Sequence, residues 1–302
     1  GNDSTVRVWD LEAGAERARL TGHTDWVSAV AVAQIDGRSH AVTTSNDSTV
    51  RVWDLEAGAE RARLTGHTDW VSAVAVTQIE GRPHAITAGS DGTVRVWDLE
   101  AGTERATLTG SVNAVAVTQI EGRPHAVTTS NDFTVRVWDL EAGAERVTLT
   151  GHTGSANAVA VAQIDGRPHA VTTGTDSTVR VWDLEAGAER ATLTGHTGPV
   201  NEMAVAQIDG RPHAVTTSTD LTVRLWDLAS ARPIAVAYTP LPVSGLDVHD
   251  RSAILGMTSE IVVLERAPIS ERFAARACPT PAWQASGGGR RPADEGRSDG
   301  RA

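Results

Sequence analysis

Four residue types recur together along the chain at fixed offsets: His23, Thr43, Asp47 and Trp53; His67, Thr87, Asp91 and Trp97; His152, Thr172, Asp176 and Trp182; His196, Thr216, Asp220 and Trp226. A hydroxyl beside an imidazole that a carboxylate orients is the constellation of nucleophilic catalysis, in which the His takes the hydroxyl proton and the Asp fixes its tautomer. The number of copies argues against that chemistry. An active site is needed once per domain, whereas this set occurs at regular intervals, as does a part that every repeating unit requires. Buried polar groups must find partners, and a local network that satisfies all its members also fixes strand register. The sets therefore read as structural, and no catalytic residue is assigned.

The elements that must position these residues are themselves repeated. Residues 2–32 are letter for letter the same as residues 46–76. A Trp-Asp pair recurs at Trp9-Asp10, Trp53-Asp54, Trp97-Asp98, Trp138-Asp139, Trp182-Asp183 and Trp226-Asp227, in steps of 44, 44, 41, 44 and 44. Within one period, Glu60–Leu64 reads as a short strand and Thr65-Gly66-His67-Thr68 as a loop. Val71–Thr77 is an alternating run, and Glu80-Gly81-Arg82-Pro83 supplies a turn. His84–Ala88 reads as the next strand, Ser90-Asp91-Gly92 as a tight turn and Thr93–Trp97 as the strand that ends the unit. The apolar residues are mainly Val, Ala, Leu, Ile and Trp, since Phe, Tyr and Met number 2, 1 and 2. β-branched side chains of this kind suit a pleated surface.

A period in the forties, with Gly-His upstream and Trp-Asp downstream, is the signature of a blade of four strands. On these landmarks the chain resembles the WD-repeat β-propeller family over residues 1–265. The resemblance implies an all-β propeller of four-stranded antiparallel blades. It also implies that the recurring set is a hydrogen-bonded tetrad, His to Asp and to Thr, with the Trp packed between strands and donating its indole N–H. Complete blades are expected at about 26–64, 70–108, 112–149, 156–193 and 199–237, with a degenerate one at Val243–Glu265. Thr5–Trp9 and Glu16–Leu20 then form a half-built first blade, giving seven units. The alternative is six blades, with Glu16–Leu20 closing the ring against Val243–Glu265. The chain begins in the middle of a repeat, which reads as an N-terminally truncated sequence.

The fourth unit departs from the pattern. The two preceding units read GHTDWVSA where Gly110–Ala114 reads GSVNA, so the His is missing while Thr128, Asp132 and Trp138 remain. A locally weaker blade is expected, with Asp132 hydrated or bonded to a backbone amide. A second series, His40, His84, His125, His169 and His213, follows the Gly-Arg-Pro or Gly-Arg-Ser turn. Equivalent positions on different blades of a large ring lie too far apart for one ion, so these read as partly exposed strand-start residues, and no metal or cofactor is expected.

Trp26 and Trp70 stand outside the tetrads, on loops at the ring face that carries the tetrad His, beside Asp25 and Asp69. Trp is enriched at binding hot spots. These four residues are candidates for a partner site, or each Trp covers the gap between its own blade and the next.

Composition bounds the rest. The formal net charge is −11, with 27 basic residues, all Arg. An acidic surface repels phosphate backbones, which disfavours nucleic acid. The longest apolar runs are too short to span a membrane. A single Cys, Cys278, rules out an intramolecular disulfide framework and fits a cytoplasmic setting. Residues 266–302 are rich in Gly, Pro, Ser, Ala and Arg and read as a low-complexity tail, disordered from about residue 277, with Arg290-Arg291 as a weak basic cluster. What the family resemblance implies is a non-catalytic scaffold that binds a protein or peptide through loops of the ring faces. The near-identical repeats resemble bacterial versions, so the alternative is a regulatory module of a longer signalling protein with a kinase, protease or nucleotide-hydrolysing part. Enzyme activity within the ring would need an acid cluster or metal set unique to one blade, and the sequence has none.

Overall fold

The computed structural model describes residues 3–249, 252–257, 261–265 and 274–277. The sequence expectations for Cys278, Arg290-Arg291 and the rest of 278–302 lie outside the described residues.

The described chain is entirely β, and each sheet is a meander of consecutive antiparallel strands. The first sheet has two strands, β1 (Thr5–Asp10) and β2 (Ala15–Thr21). The next has four, β3 (Val27–Ile35), β4 (Arg38–Ser45), β5 (Thr49–Asp54) and β6 (Ala59–Thr65). It is followed by β7 (Val71–Ile79), β8 (Arg82–Gly89), β9 (Thr93–Asp98) and β10 (Thr103–Thr109). The shortened unit forms β11 (Ala114–Ile120), β12 (Arg123–Thr129), β13 (Thr134–Asp139) and β14 (Ala144–Thr150). Then come β15 (Ala156–Ile164), β16 (Arg167–Gly174), β17 (Val179–Asp183) and β18 (Ala188–Leu193). The fifth full blade is β19 (Val200–Ile208), β20 (Arg211–Ser218), β21 (Thr222–Asp227) and β22 (Arg232–Tyr238). The last is β23 (Val243–His249), β24 (Ser252–Met257), β25 (Ile261–Glu265) and β26 (Ala274–Ala277).

Local chemistry sets these boundaries. The first and second strands of each full repeat meet at a two-residue turn in which both residues have positive φ, as in Asp36 (51°) and Gly37 (74°) or Glu80 (51°) and Gly81 (76°). That geometry matches the right-handed twist of a hairpin and favours an acid followed by Gly. Arg82 and Pro83, which the sequence assigns to the turn, are the opening residues of β8. Pro is tolerated there, at the start of a strand.

The core is a series of layers between successive blades. Ala33, Ile35, Val42, Val50, Val52 and Leu64 of one blade pack against Val71, Ala85, Trp97 and Leu99 of the next. The join after it repeats the pattern, with Ile79, Ile86, Val94, Val96 and Leu108 against Val112, Ala126, Trp138 and Leu140. Trp53, Trp97, Trp138, Trp182 and Trp226 therefore each seal the layer with the preceding unit. Trp53, Trp97, Trp182 and Trp226 are at most 2% exposed.

The described residues thus form a half-built first unit and six four-stranded blades. The six-bladed alternative, with Glu16–Leu20 paired to Val243–Glu265, is not what forms. β2 belongs to the two-stranded sheet with β1, and the last blade draws its fourth strand from β26. β26 falls within residues 266–302, which composition assigns to the tail. Its backbone supplies the outer partner that β25 would otherwise lack. The half-built unit leaves its neighbour uncovered. Val30 and Val32 on β3 are 59% and 62% exposed, whereas their counterparts Val74 and Val76 on β7 pack on the preceding blade. Among the described residues no helix is long and apolar enough to cross a membrane.

Candidate functional site

The repeated polar sets are built where the loop entering a first strand meets the turn between second and third strands. His23 Nδ1 lies 2.9 Å from Asp47 Oδ2, and its Nε2 lies 2.9 Å from Thr43 Oγ1. Trp53 Nε1 donates to the same Thr43 oxygen at 2.8 Å. One proton order satisfies all of these contacts: indole N–H to Thr oxygen, Thr hydroxyl to His Nε2, His Nδ1–H to Asp. The same bonds join His67, Thr87, Asp91 and Trp97, His152, Thr172, Asp176 and Trp182, and His196, Thr216, Asp220 and Trp226.

The electrostatics fit that order. Burial pushes the His23, His67, His152 and His196 pKa values down, and the paired carboxylates only partly oppose it. Burial acts to raise the Asp47 pKa, but hydrogen bonds from the Thr49 hydroxyl, the Thr24 amide and His23 outweigh it and hold the carboxyl below the usual range. Each set is thus a neutral imidazole donating to an ionised Asp. Thr43, Thr87, Thr172 and Thr216 are at most 0% exposed. Both ends of each hydroxyl are already committed, so none of them can reach a substrate as a nucleophile.

A fifth member was not read from the sequence. Thr49, two residues after Asp47, donates its hydroxyl to Asp47 Oδ1 at 2.6 Å and its amide at 3.0 Å. Thr93, Thr178 and Thr222 do the same in their units. The signal was present as an Asp-x-Thr in every repeat, the spacing of a side-chain turn.

Where the His is missing, an arginine takes its place. Asp132 accepts from the Thr134 amide and hydroxyl, and its other oxygen lies 2.6 Å from Arg136 Nη2. The backbone-amide bond expected of Asp132 is present; the guanidinium was not anticipated. Asp3, which also has no His before it among the described residues, is held by Arg7 at 2.8 Å. In three of the four units with a His, the matching Arg51, Arg95 and Arg180 turn instead to Glu60, Glu104 and Glu189 on the outer strand.

The second His series is buried, not partly exposed. His40, His84, His125, His169 and His213 are 0%, 1%, 1%, 1% and 4% exposed. Each bonds through Nδ1 to the carbonyl of the Arg two residues earlier, and each sits opposite the Asp of its Trp-Asp pair in the ladder. That Asp in turn caps the following turn, as Asp54 Oδ1 does by accepting from the Glu56 and Ala57 amides. Among the described residues no group of three or more His, Cys, Asp or Glu is placed to hold a metal ion.

The tetrad face carries several exposed large apolar side chains. Trp26 and Trp70 are 53% and 58% exposed, so neither is buried in a gap between blades. Their backbones are fixed: Trp26 O accepts from the Asn46 amide and Trp70 O from the Ser90 amide. Asp25 and Asp69, also exposed, accept from the amides of their own Trp neighbours. Phe133 and Leu221 join them on this face, 46% and 37% exposed, in the turns between second and third strands. Both have left-handed backbones, with φ of 72° and 61°. The same turn position holds Ser48, Gly92 and Ser177 in the other blades. The sequence reading passed over Phe133 and Leu221, although aligning the turns of the repeats would have marked them.

A family model described as "WD domain, G-beta repeat" matches residues 14–54, 58–98, 102–139, 143–183 and 187–227. No curated protein matches the chain. Among solved structures, the computationally designed Ika8 protein is similar at 24% identity, with a TM-score of 0.75, over 88% of this chain and 79% of that one. That likeness concerns the fold alone.

Proposed function

Because the chain belongs to the WD domain, G-beta repeat family, we propose that it is a non-catalytic interaction scaffold whose partner docks on the face bearing Trp26, Trp70, Phe133 and Leu221. The observation that carries this reading is the exposure of four large apolar side chains on one rigid face, two of them held at positive φ. A bulky residue in the left-handed region costs on the order of 1 kcal/mol, and such strain clusters where a surface is used. Exposed aromatic residues on anchored loops are the typical anchors of a protein interface. Asp25 and Asp69 beside the indoles favour a partner that pairs an apolar anchor with a cation, and the net charge of −11 disfavours nucleic acid. The setting we propose is cytoplasmic.

The test is capture of partners by the intact protein, by W26A/W70A and by F133S/L221S, with thermal melting as the folding control. Loss of the same captured protein in both variants supports the face. Unchanged capture by both, with folding intact, overturns it.

A further inference from the structure

In three units with a His, the third-strand Arg holds a Glu of the outer strand. In the fourth, the Glu is gone. Pro233 stands opposite Trp226 in the ladder, the place held by Glu60 opposite Trp53, Glu104 opposite Trp97 and Glu189 opposite Trp182. Arg224 therefore finds no acid on β22. Nor can it cross to Asp220 as Arg136 does to Asp132, because His196 already holds that carboxylate at 3.0 Å. Arg224 makes no hydrogen bond or ion pair among the described residues, and its Nε is buried without a partner. Yet its guanidinium stays in place. A Cβ on Gly195 would meet Arg224 Nη1 at 2.6 Å, the same separation as from Gly66 to Arg95 and from Gly151 to Arg180, where the Glu is present.

The rest of β22 has changed with it. Val236 and Tyr238 are 41% and 84% exposed, and they stand opposite Arg224 and Thr222, so these side chains share one face of the sheet. Other outer strands place Arg63 and Thr65, or Thr107 and Thr109, at these positions. β22 is the edge of its sheet and carries no acid, although the chain as a whole is at −11. Charged side chains on an edge strand discourage association. This edge instead sets an apolar strip beside an unpaired cation.

We propose that Arg224, Val236 and Tyr238 form a docking site for an extended segment of a partner protein in which one glutamate is flanked by apolar residues. The glutamate takes the carboxylate position that Glu60, Glu104 and Glu189 fill in the other blades, and its neighbours cover Val236 and Tyr238. A guanidinium already held in place loses little freedom on binding, and it grips a carboxylate through charge-assisted hydrogen bonds. The net charge of −11 disfavours a run of acids, so a single carboxylate in an apolar setting is the matching chemistry. A second copy does not supply it. Two β22 edges paired about a two-fold axis would bring Arg to Arg, with no acid on either strand. This site is separate from the tetrad face and does not depend on it.

Tyr238 is the chain's one tyrosine, so protein made with isotope-labelled tyrosine gives a single NMR reporter inside the site. The probe is the acetylated and amidated peptide TVEVT, titrated into the intact protein with TVQVT as its control. The Tyr238 signal should shift saturably with TVEVT, and TVQVT should bind more weakly by about tenfold, the cost of losing a hydrogen-bonded charge. Pro233→Glu restores the acid that the other blades carry, so this variant should melt no lower than the parent. It should lose TVEVT by about tenfold, as should Arg224→Gln. No saturable shift, equal binding of the two peptides, or undiminished binding by either folded variant would overturn the proposal. So would a Tyr238 signal that moves with protein concentration alone, which would make a second copy the occupant.

Discussion

Arg136 Nη2 stands 2.6 Å from Asp132 Oδ2, in the shortened blade, whose entering loop lacks the Gly-His pair. The third-strand guanidinium has two acids within reach, and the imidazole decides between them. With His present, the Asp is already satisfied, and Arg51, Arg95 and Arg180 turn to the outer-strand Glu. Without it, the Arg crosses to the Asp and lies 3.7 Å from Glu145 through Nε.

Restoring the loop should reverse the choice. Replacing Ser111 with His-Thr-Asp-Trp rebuilds the neighbours' loop ahead of Val112, which already occupies the buried place of Val71. The expected gain is about 1–2 kcal/mol, the usual worth of hydrogen bonds to a charged group. A crystal structure of the variant should show Arg136 on Glu145. A melting temperature no higher than that of the parent would contradict the gain.

The same switch predicts how two glycines tolerate a methyl group. A Cβ on Gly66 would meet Arg95 Nη1 at 2.6 Å and Trp97 Cη2 at 3.1 Å, whereas on Gly110 the nearest atoms are Arg136 Nη1 at 3.3 Å and Trp138 Cζ2 at 3.7 Å. Gly66→Ala should destabilise by about 1–3 kcal/mol, as overpacking does. Gly110→Ala should cost under about 0.5 kcal/mol, because Arg136 has moved aside. Urea midpoints of the two variants measure the contrast, and equal losses would rule out this reading of the arginine.

Stability should fall with acid in two stages. Burial lowers the tetrad His pKa values from the ordinary 6.5, so the unfolded chain binds protons that the folded one refuses. That contribution is complete above pH 6.5 and is lost as pH falls below it. Asp47 and Asp220, also lowered from an ordinary value of 3.8, add a second loss below that pH with the same sign. Urea midpoints should be flat between pH 7 and 8 and should decline at pH 5.5 and again at pH 3.5. A midpoint unchanged from pH 7.5 to pH 5.5 would contradict the neutral, buried imidazoles.

Phe133→Gly and Leu221→Gly should separate stability from binding. At a φ of 72° or 61° glycine is free of the Cβ conflict. The melting temperature should hold or rise, with up to about 1 kcal/mol recovered from the left-handed strain, while partner capture falls. A lower melting temperature would show that these side chains support the blade.

Much of this was legible because the repeats are copies. A Trp-Asp every 44 residues fixed the strand order, and the recurrence of His, Thr, Asp and Trp marked them as parts of each blade. The Arg136 switch was hidden because the arginine is present in every unit, and only its choice of acid changes. The burial of His40 and its equivalents was hidden because a strand-start residue looks exposed until the turn capped by Asp54 closes beside it. The fate of the first two strands depended on a neighbour's presence, which a local pattern does not encode.

The inter-blade layers carry one more consequence. Each join is made from the same positions on both sides, Val50, Val52 and Leu64 meeting Ala85 and Trp97 at one, Val94, Val96 and Leu108 meeting Ala126 and Trp138 at the next. A joint of this kind does not record which unit supplied which half, and its energy depends on nearest neighbours only. A whole unit could therefore be spliced out or copied in at the boundaries between these Trp-bearing blades without creating an unfamiliar contact. Copy number is then set by the curvature that the ring can accept, not by any single interface.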